Sequence, residues 1–318
     1  MIATKAGASL LGDEPPALPR AAVLVTGASS GIGYATAIRL ARRGTIVFAG
    51  VRRQTDAETI AREGGLNVRP LVLDITDSES IARAKTAISR ASDVTLVGLV
   101  NNAGVAVAGP LELLPIEALR RQFDVNFFGT IETTQAFLPI LRETGGRIVN
   151  VSSIGGKLAA PFVGAYASSK FALEAASDAL RVELRPFGVA VALIEPGAVK
   201  TPIWSRSAEA SLRIFDALPP AARSVYDDMI RNMQRISQQM EKRGIPPERV
   251  AAAIERALFS PRPRARYLVG RDARVRLLVA RLPEGIRDRI VAAVVGSPPK
   301  PKREEPQKVA VSAKRPAN

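Results

Sequence analysis

The sequence predicts an α/β fold in which a doubly wound parallel sheet of about seven strands carries helices on both faces. Three observations support this prediction. Short apolar runs without polar alternation are typical of strands that are buried on both faces of a parallel sheet. Helical patterns separate these runs as far as residue 196. Glycine-rich or capping residues stand at several strand–helix junctions, as expected where crossover helices join parallel strands.

The first half of the predicted sheet begins with the apolar run 21–25, which leads directly into the glycine-rich segment 26–33. A helical pattern follows over 34–43. These residues therefore predict a strand, a tight turn and a helix. Further apolar runs at 45–49 and 68–73 predict the second and third strands.

The second half repeats this arrangement. Residues 76–79, Thr-Asp-Ser-Glu, have the spacing of a capping box and predict the start of a helix. A long helical pattern covers 116–142, and another contains Tyr166. Apolar runs predict three more strands, at 96–100, 147–151 and 189–194.

After residue 197 the alternation of strands and helices stops. Residues 203–260 have a helical pattern with many polar residues and two proline pairs. The remaining predicted elements are one strand and two short helices, at 266–269, 272–280 and 284–295. Residues 1–20 and 297–318 are predicted to be disordered extensions, the second of them basic. We therefore expect residues 21–296 to form a single domain.

Composition excludes several kinds of chemistry. The chain has 318 residues and contains no cysteine and no histidine. Disulfides, Cys/His metal sites and Ser-His-Asp catalysis are thereby excluded, and no metal site is predicted. No apolar run reaches the roughly 18 residues of a membrane-spanning helix. No signal peptide is recognisable either, so we expect a cytoplasmic protein.

The net charge of +15 lies mostly near the end of the chain, where residues 241–318 hold 19 Lys and Arg against 8 Asp and Glu. Such an excess permits contact with an anionic membrane surface. A solvated basic surface is the simpler interpretation. No nucleic-acid motif accompanies the charge, so no nucleic-acid partner is predicted.

Tyr166 and Lys170 are the main candidates for acid–base chemistry. They stand four residues apart in a helical pattern, which places both side chains on one helix face. A tyrosine has a reference pKa of about 10 and is a weak base at neutral pH. A lysine ammonium roughly 5 Å away contributes about 3 kcal/mol at an effective dielectric of about 20, which would lower the tyrosine pKa by about two units. The alternative is a Tyr and a Lys that merely share a solvated helix face.

The glycine-rich turn predicts a nucleotide cofactor. Gly27, Gly31 and Gly33 follow the first predicted strand and precede a helix. Glycines allow the backbone to approach a pyrophosphate closely, and a helix N-terminus favours its negative charge. The spacing G-x-x-x-G-x-G differs from the commonest fingerprint, G-x-G-x-x-G, so a simple tight turn is the alternative.

The end of the second predicted strand indicates which nicotinamide cofactor is preferred. NAD-binding folds place an acid near this point, against the ribose 2′-hydroxyl. Here Val51 is followed by Arg52 and Arg53, and no acid is present. Because an arginine suits the 2′-phosphate of NADP, NADP is predicted over NAD. Two solvated arginines are the alternative.

Together these motifs resemble those of the short-chain dehydrogenase/reductase family, and they look closest to its hydroxysteroid and retinol dehydrogenase branch. The resemblance covers residues 20–205 tightly and extends loosely to about 295. It implies a Rossmann fold and an NAD(P)-dependent oxidoreductase that interconverts an alcohol and a ketone or aldehyde. The matching motifs, in chain order, are T-G-x3-G-x-G at 26–33, Asp74, N-N-A-G at 101–104, Asn126, Ser153, Y-x3-K at 166–170 and P-G-x-V-x-T at 196–201.

The resemblance implies catalytic roles for four residues. Tyr166 would be the general acid/base, and Ser153 would hold the substrate oxygen. Lys170 would lower the tyrosine pKa and contact the nicotinamide ribose. Asn126 would hold a water that links Lys170 to solvent, or else satisfy buried backbone groups where its helix bends.

The resemblance also implies a cofactor site. Asp74 would contact the adenine, or alternatively cap a helix. The other candidates belong to the glycine turn, the end of the second strand, the catalytic helix and the loops after later strands. They are Gly27, Ser29, Gly31, Ile32, Gly33, Arg52, Asn102, Ala103, Gly104, Tyr166, Lys170, Pro196, Gly197, Val199 and Thr201.

The resemblance implies that residues 203–260 form a substrate-binding lid and pocket wall. Apolar residues in this segment and near the active site suggest a bulky hydrophobic substrate of the steroid, retinoid or lipid type. The alternative is that they pack a helical subdomain or a dimer contact, and the resemblance suggests a homodimer or homotetramer. These residues are Leu158, Phe162, Val163, Ile203, Trp204, Leu212, Ile214, Phe215, Leu218, Met229, Ile230 and Met233.

Two further hypotheses stay open. A non-catalytic nucleotide sensor or scaffold on the same fold is the rival function, because a fold does not determine a function. Residues 275–295 mix arginines with apolar residues, as interfacial helices do, and suggest weak peripheral membrane contact. Alternatively, that segment packs its apolar side on the sheet and leaves its arginines in water.

Overall fold

A computed structural model describes residues 20–216, 226, 230–231, 234–235, 238–239 and 241–295. The predicted extensions at 1–20 and 297–318 lie outside these residues, apart from Arg20, which begins the first strand.

A parallel sheet of seven strands forms the centre of the fold and confirms the predicted doubly wound α/β architecture. Every described pair of neighbouring strands is parallel. The strands are β1 (Arg20–Val25), β2 (Ile46–Val51), β3 (Val68–Val72), β4 (Val94–Asn101), β5 (Arg147–Val151), β6 (Ala190–Pro196) and β7 (Arg266–Val269). Their spatial order is β3-β2-β1-β4-β5-β6-β7. The order reverses between β1 and β4, where sheets of this kind bind ligands at the carboxyl ends of their strands.

Helices cover both faces of the sheet. The named helices are α1 (Gly31–Arg42), α2 (Gln54–Gly64), α3 (Ser78–Ser89), α4 (Ile116–Phe123), α5 (Gly129–Glu143), α6 (Gly164–Glu183), α7 (Ile203–Asp216), α8 (Pro247–Phe259), α9 (Arg271–Ala280) and α10 (Glu284–Val295). Helix α2 has no counterpart among the predicted elements. Its sequence is polar, and only Ala57 and Ile60 are buried, so its apolar stripe is narrow.

The core consists of two apolar layers, one on each side of the sheet. Successive side chains of β1 alternate between them, because neighbouring residues of a strand point to opposite faces. Val23 and Val25 belong to the layer beneath α1 and α8. Leu24 belongs to the other layer, together with Phe137 and Leu141 of α5. This burial on both sides explains why the strands are continuous apolar runs.

The prediction of a lid over 203–260 is wrong for its last helix. Helix α8 packs against α1 and against the strands of the sheet. Val250 and Ile254 on its inner side are completely buried in the core. Its apolar residues therefore cover the sheet rather than the substrate.

Two helix starts differ from the predicted ones. The predicted helix 116–142 is present but is divided into α4 and α5 by a π-helical turn at Asp124–Phe128. The capping-box prediction is displaced by one residue, because Asp77 caps α3 and its carboxylate accepts a hydrogen bond from Glu79 N.

Within the described part of the chain, no helix combines the length and the hydropathy that crossing a membrane requires.

Candidate active site

Ser153 and Tyr166 lie side by side on two consecutive elements. Ser153 follows β5 and caps a short 3-10 turn, where its Oγ accepts a hydrogen bond of 3.0 Å from Gly155 N. Tyr166 lies in the first turn of α6. A Cβ atom built on Gly155 would lie 3.4 Å from Cε1 of Tyr166, so the turn packs directly against the phenol ring. The same Cβ would lie 3.3 Å from Ser153 Oγ, so Gly155 borders both side chains.

Lys170 occupies the next turn of the same helix face. Its Nζ lies 5.9 Å from the centre of the Tyr166 ring and donates a hydrogen bond of 2.8 Å to Val151 O. The lysine is only 5% exposed. Burial lowers the pKa of Lys170 to about 8, while the charge of Glu174 opposes this shift. The lysine therefore titrates close to physiological pH.

The pKa of Tyr166 is raised rather than lowered. Burial of the phenol is the largest cause, and a hydrogen bond with Ser153 opposes it. The predicted lowering of the tyrosine pKa by Lys170 is therefore not found. The simple Coulomb argument considered only the lysine charge, whereas burial also disfavours the charged phenolate.

Asn126 lies in the π-helical turn between α4 and α5 and is completely buried. Its Oδ1 accepts a hydrogen bond of 2.9 Å from Val105 N, and its Nδ2 donates to Val105 O at 3.0 Å and to Ser169 Oγ at 3.1 Å. The alternative interpretation, that Asn126 satisfies buried backbone groups, is therefore confirmed. A Cβ built on Gly104 would lie 3.4 Å from Asn126 Oδ1 and 3.9 Å from Lys170 Nζ, so both side chains border the same space.

The glycine turn after β1 forms a cradle that admits no side chains. Gly27 has a φ of +65°, and a Cβ there would lie 2.7 Å from Ala103 Cα. A Cβ on Gly33 would lie less than 3.0 Å from Gly27 O and from Asn102 Nδ2. Asn102 holds the turn by donating to Thr26 O at 2.9 Å and to Gly27 O at 3.1 Å. Two of the predicted cofactor segments are thus in direct contact.

The start of α1 is suited to an anion. Its N-cap residue, Ser30, makes no side-chain capping hydrogen bond, and its first turn contains no acidic residue. The N–H groups and the dipole of this turn therefore favour a phosphate. Ser29 is exposed beside them, and Ile32 packs against the core and anchors the helix. The cradle and the helix end together fit the pyrophosphate of a dinucleotide.

The loop after β6 contributes the third predicted cofactor segment. A Cβ built on Gly31 would lie 3.0 Å from Cγ2 of Thr201, so this loop reaches the glycine turn. Pro196 ends β6, and Val199 forms a parallel bridge with Ile245. The loop thus lies against the cradle at the carboxyl edge of the sheet.

Asp272 holds this loop in place. Its Oδ2 accepts a hydrogen bond of 2.7 Å from Ala198 N. A Cβ on Gly197 would lie less than 3.0 Å from the carboxylate, so only a glycine fits there. From the sequence, position 272 is only the first residue of the predicted helix 272–280. Asp272 and Ala198 are 74 positions apart, so no local sequence pattern indicates their contact.

Arg52 and Arg53 have different environments. Arg53 donates two hydrogen bonds to Asp56, at 2.9 Å and 3.0 Å. Arg52 is exposed and makes no ion pair or hydrogen bond with any described residue. Of the two predicted arginines, only Arg52 therefore keeps its guanidinium available at the end of β2.

Asp74 lies after β3, within electrostatic reach of Arg52. Its Oδ1 accepts hydrogen bonds from Thr76 N at 2.9 Å and from Thr76 Oγ1 at 2.7 Å, so it supports the approach to α3. Burial alone would raise the pKa of Asp74, but these two hydrogen bonds and the charge of Arg52 outweigh it and lower the pKa. The carboxylate therefore stays charged.

A cavity of about 540 Å³ opens onto Ser153 and Tyr166 and is lined mainly by apolar side chains. The indole ring of Trp204 stands edge-on to the Tyr166 ring at 5.8 Å. Several of the predicted pocket residues line this cavity, but Ile203 and Ile214 do not, and Leu218, Met229 and Met233 lie outside the described residues. Those that do are Leu158, Phe162, Val163, Trp204, Leu212, Phe215 and Ile230.

The C-terminal helices form a wall of the cavity that sequence reasoning missed. Val275 and Val279 of α9 line it, as do Ile290 and Val294 of α10. Helix α9 contacts β7 and the turn after Ser153, and α10 contacts α9. The alternative that residues 275–295 pack their apolar side on the sheet is therefore wrong, because much of that side faces the cavity.

Sequence reasoning also missed a buried ionic cluster behind the catalytic helix. Lys157 Nζ lies 2.7 Å from Glu174, and the Arg266 guanidinium lies 3.0 Å from Glu195 and 3.2 Å from Glu174. Arg266 also contacts Asp178, at 2.7 Å. Burial is the main cause that raises the pKa of Glu195 to about 7, and the neighbouring Glu174 carboxylate adds to it.

The variant Glu195→Gln is expected to remove a pH dependence of stability. A folded pKa of about 7 exceeds the ordinary 4.5, so the folded state binds more protons than the unfolded state between these values. The free energy of unfolding should therefore fall as the pH rises from about 5 to 7, and then level off. Because the chain has no histidine, few other groups titrate in this window.

Urea unfolding at half-unit steps from pH 5 to pH 8 measures this effect. The wild-type free energy should decline across the window, whereas that of Glu195→Gln should stay nearly constant. The exposed Glu79→Gln is the matched control and should keep the wild-type slope. Equal slopes for wild type and Glu195→Gln would contradict the assignment.

Comparison with known proteins agrees with this geometry. Residues 21–211 match the family model described as short chain dehydrogenase. The NADPH-dependent 3-dehydrocapnine reductase of Ornithobacterium rhinotracheale is 37% identical over 252 residues, which cover 77% of this chain and 87% of that protein. Retinol dehydrogenase 5 of Mus musculus is 36% identical over 284 residues, covering 87% and 89%. A solved short chain dehydrogenase from Burkholderia cenocepacia in complex with NADP superposes with a TM-score of 0.64 at 29% identity, covering 88% of this chain and 98% of that one.

Proposed function

The chain belongs to the short-chain dehydrogenase family, and from this premise we propose that it is an NADP-dependent oxidoreductase acting on a bulky hydrophobic alcohol or carbonyl compound. It interconverts the alcohol and the corresponding ketone or aldehyde. One observation carries the proposal. Ser153 and Tyr166 open together into a large apolar cavity, while Lys170 lies behind the tyrosine on the side of the nucleotide cradle.

Each polar group has a defined task in this reaction. The bound nicotinamide supplies or accepts the hydride at the substrate carbon. In reduction, the Tyr166 hydroxyl transfers its proton to the substrate oxygen, and in oxidation it takes that proton back. Ser153 donates a hydrogen bond to the same oxygen and stabilises the developing negative charge. The Lys170 ammonium supplies a positive charge next to the phenolate that forms.

Asn126 supports the role of Lys170 in the proton relay. Both side chains border the space beside Gly104. The proposed water between lysine and solvent would lie there and return protons to the relay. Asn126 also fixes the loop after β4 through Val105, so the same amide serves both tasks.

The cofactor site is proposed from the segments that meet at the carboxyl edge of the sheet. The glycine turn and the start of α1 would hold the pyrophosphate, and Asn102 to Gly104 would form the wall beside the ribose. Val199 and Thr201, with the Pro196–Gly197 loop, would contact the carboxamide. Asp74 would contact the adenine and would keep its hydrogen bonds with Thr76, which support the approach to α3.

A panel of three substrate classes tests the proposed substrate. Purified protein is assayed with NADPH and a steroid ketone, a retinal and a short β-ketoester. Turnover of either large compound with at least tenfold higher kcat/KM than the ketoester supports the proposal. Turnover of the ketoester alone would contradict the bulky substrate but leave the oxidoreductase activity in place.

Arg52 carries the proposed preference for NADP over NAD. Its guanidinium makes no hydrogen bond or close ion pair with a described residue, interacts only electrostatically with Asp74, and stands at the end of β2. Two comparisons support this preference, since one relative is named as NADPH-dependent and one solved relative holds NADP. The 2′-phosphate would pair with Arg52 in a charge-assisted contact.

The variant Arg52→Ala is expected to weaken NADP binding by about tenfold to a hundredfold, which corresponds to about 1.4–2.8 kcal/mol. NAD binding should change little, because NAD has a 2′-hydroxyl at this point. Arg53→Ala is the matched control, since Arg53 is already paired with Asp56. Titration of both coenzymes measures the ratio, and an unchanged ratio in Arg52→Ala would remove the basis of the NADP preference.

Two surface features support proposals about association. Phe128, at the junction of the long helices, is 57% exposed, and its ring contacts that of Phe127, which in turn contacts Phe123. This supports a homodimer or homotetramer through these helices. Leu278 on α9 is 64% exposed beside the arginines of its helix and does not line the cavity, which supports weak peripheral membrane contact. Residence in the cytoplasm stays a prediction.

A further inference from the structure

We propose that Arg276 binds an anionic group of the substrate, so that the cavity accepts an anionic amphiphile. Such a molecule has an apolar body, a hydroxyl or carbonyl group at the reacting carbon, and a carboxylate or similar anion close to that carbon. The inference rests on the proposed function, because it names the substrate class of the same site.

Arg276 is an unusual component of the cavity wall. Among the described residues that line the cavity, only Asp272 and Arg276 carry a charge. Asp272 is negatively charged and does not attract an anion, and its Oδ2 accepts the hydrogen bond from Ala198 N. Arg276 is therefore the charged group of the wall that is left to contact a bound molecule.

No described residue pairs with Arg276, either by an ion pair within 4.0 Å or by a hydrogen bond. Half-buried arginines elsewhere in the fold are paired. Arg266 contacts Glu174, Asp178 and Glu195, and Arg287 on the neighbouring helix contacts Glu284 and Asp288. A guanidinium held against apolar side chains loses hydration, and an anion bound beside it would restore the lost contacts.

The position of Arg276 along α9 sets where the anion would lie. Asp272 and Arg276 stand four residues apart, so their side chains share one helix face with about 5–6 Å between their Cβ atoms. Asp272 contacts the Gly197–Ala198 loop, which borders the proposed nicotinamide site. The loop contacted by Asp272 lies at the reacting end of the cavity. The side chain of Arg276 therefore begins one helical turn away from that end. An anion bound there belongs near the reacting carbon rather than at the far end of a long chain.

The rest of the wall suits the apolar body of such a molecule. Leu212 and Phe215 of α7 face the cavity from one helix, and Val279 and Ile290 face it from α9 and α10. The net charge of +15 also raises the local concentration of anions around the protein. An apolar wall with a single available guanidinium favours an amphiphile over a neutral steroid or retinoid.

Binding can be measured independently of turnover, because the chain contains one tryptophan and Trp204 stands in the cavity. Its fluorescence is recorded while wild-type protein is titrated with decanoate or with decan-1-ol. An apolar cavity without a cationic group would prefer the alcohol, because the carboxylate is more costly to desolvate. We expect wild type to bind decanoate at least tenfold more tightly than decan-1-ol.

Three variants assign the preference to Arg276. Arg276→Met, which keeps an unbranched apolar side chain and removes the charge, should abolish or reverse the preference for decanoate. Arg276→Lys should retain part of it. Arg274→Met is the matched control, because Arg274 is exposed on the same helix and is absent from the cavity wall. Equal affinities for both probes in wild type, or an unchanged preference in Arg276→Met, would overturn the inference.

A turnover experiment separates this inference from the proposed function. Oxidation of 3-hydroxydecanoate and of methyl 3-hydroxydecanoate is followed with NADP. In wild type the kcat/KM ratio of acid to ester should exceed ten, and in Arg276→Met it should fall by at least tenfold. A ratio near one in wild type would contradict the anion site while supporting the oxidoreductase. If neither 3-hydroxydecanoate nor its methyl ester is oxidised, but wild type still prefers decanoate in the binding assay, the result counts against the proposed function and not against the anion site.

Discussion

Replacing Tyr166 with phenylalanine is expected to lower kcat by about 10³-fold, within the range of general acid–base catalysis. The variant loses the hydroxyl that exchanges a proton with the substrate oxygen, and the chain has no histidine or cysteine to replace it. NADPH affinity should stay within severalfold of wild type, because the cradle around Gly27 and Gly33 is untouched. The measurements are steady-state reduction of the best substrate and titration of NADPH by its fluorescence.

The fold should tolerate this change. The buried phenol contacts Ser153, and phenylalanine fills the same space beside Gly155 and Trp204. Tyr267→Phe is the matched control, since its hydroxyl accepts a hydrogen bond from Arg264 N at the surface. Turnover of Tyr166→Phe equal to wild type would contradict the acid–base role. NADPH binding by wild type without turnover of any tested substrate would instead favour the nucleotide sensor or scaffold.

The strands could be predicted from the sequence because helices cover both faces of the parallel sheet. Successive residues of a strand point to opposite faces, so apolar residues are needed at successive positions. In β2, every residue from Ile46 to Val51 is buried. Helix α2 could not be predicted in the same way, because it lies at the edge of the fold and buries only Ala57 and Ile60. Helix α8 follows proline residues in a polar region, so its role as a core helix depends on contacts with α1 that no local pattern records.

The meeting of the glycine turn with the later loops could be predicted because these loops follow successive strands of the sheet. Carboxyl ends of parallel strands meet at one edge, so the glycine turn, Asn102 and Thr201 had to lie close together. The partners that act across long sequence distances could not be predicted. Asp272 reaches Ala198 over 74 positions, and Arg266 reaches Glu174 over 92. Nothing in the spacing of these charged residues distinguishes them from a solvated surface.

Tyr166 illustrates the limit of reasoning from pairs of residues. The spacing of Tyr166 and Lys170 correctly predicted a shared helix face. It did not predict the raised tyrosine pKa, because burial depends on Trp204 and the cavity wall, which come from distant parts of the chain. A phenol with a raised pKa remains protonated at neutral pH, as an ordinary tyrosine does.

Replacing Gly33 with alanine is expected to weaken NADPH binding by about tenfold to a hundredfold and to lower the free energy of unfolding by about 1–3 kcal/mol. The added Cβ would lie less than 3.0 Å from Gly27 O and Asn102 Nδ2. Neither atom belongs to the free end of a flexible side chain, since the first is backbone and the second is held by Thr26 O and Gly27 O. Relief of the overlap therefore displaces the glycine turn itself.

The matched control for this change is Gly285→Ala. Gly285 also lies in a helix, α10, and a Cβ there would meet nothing within 4 Å. Its replacement should leave NADPH affinity unchanged and should leave stability unchanged or slightly increased, since alanine has the higher helix propensity. Coenzyme titration and urea unfolding of both variants separate a local overlap from a general effect of adding a methyl group to a helix. If Gly33→Ala retained wild-type NADPH affinity, the glycine turn would be only a tight connection between β1 and α1, and the pyrophosphate would have to bind elsewhere.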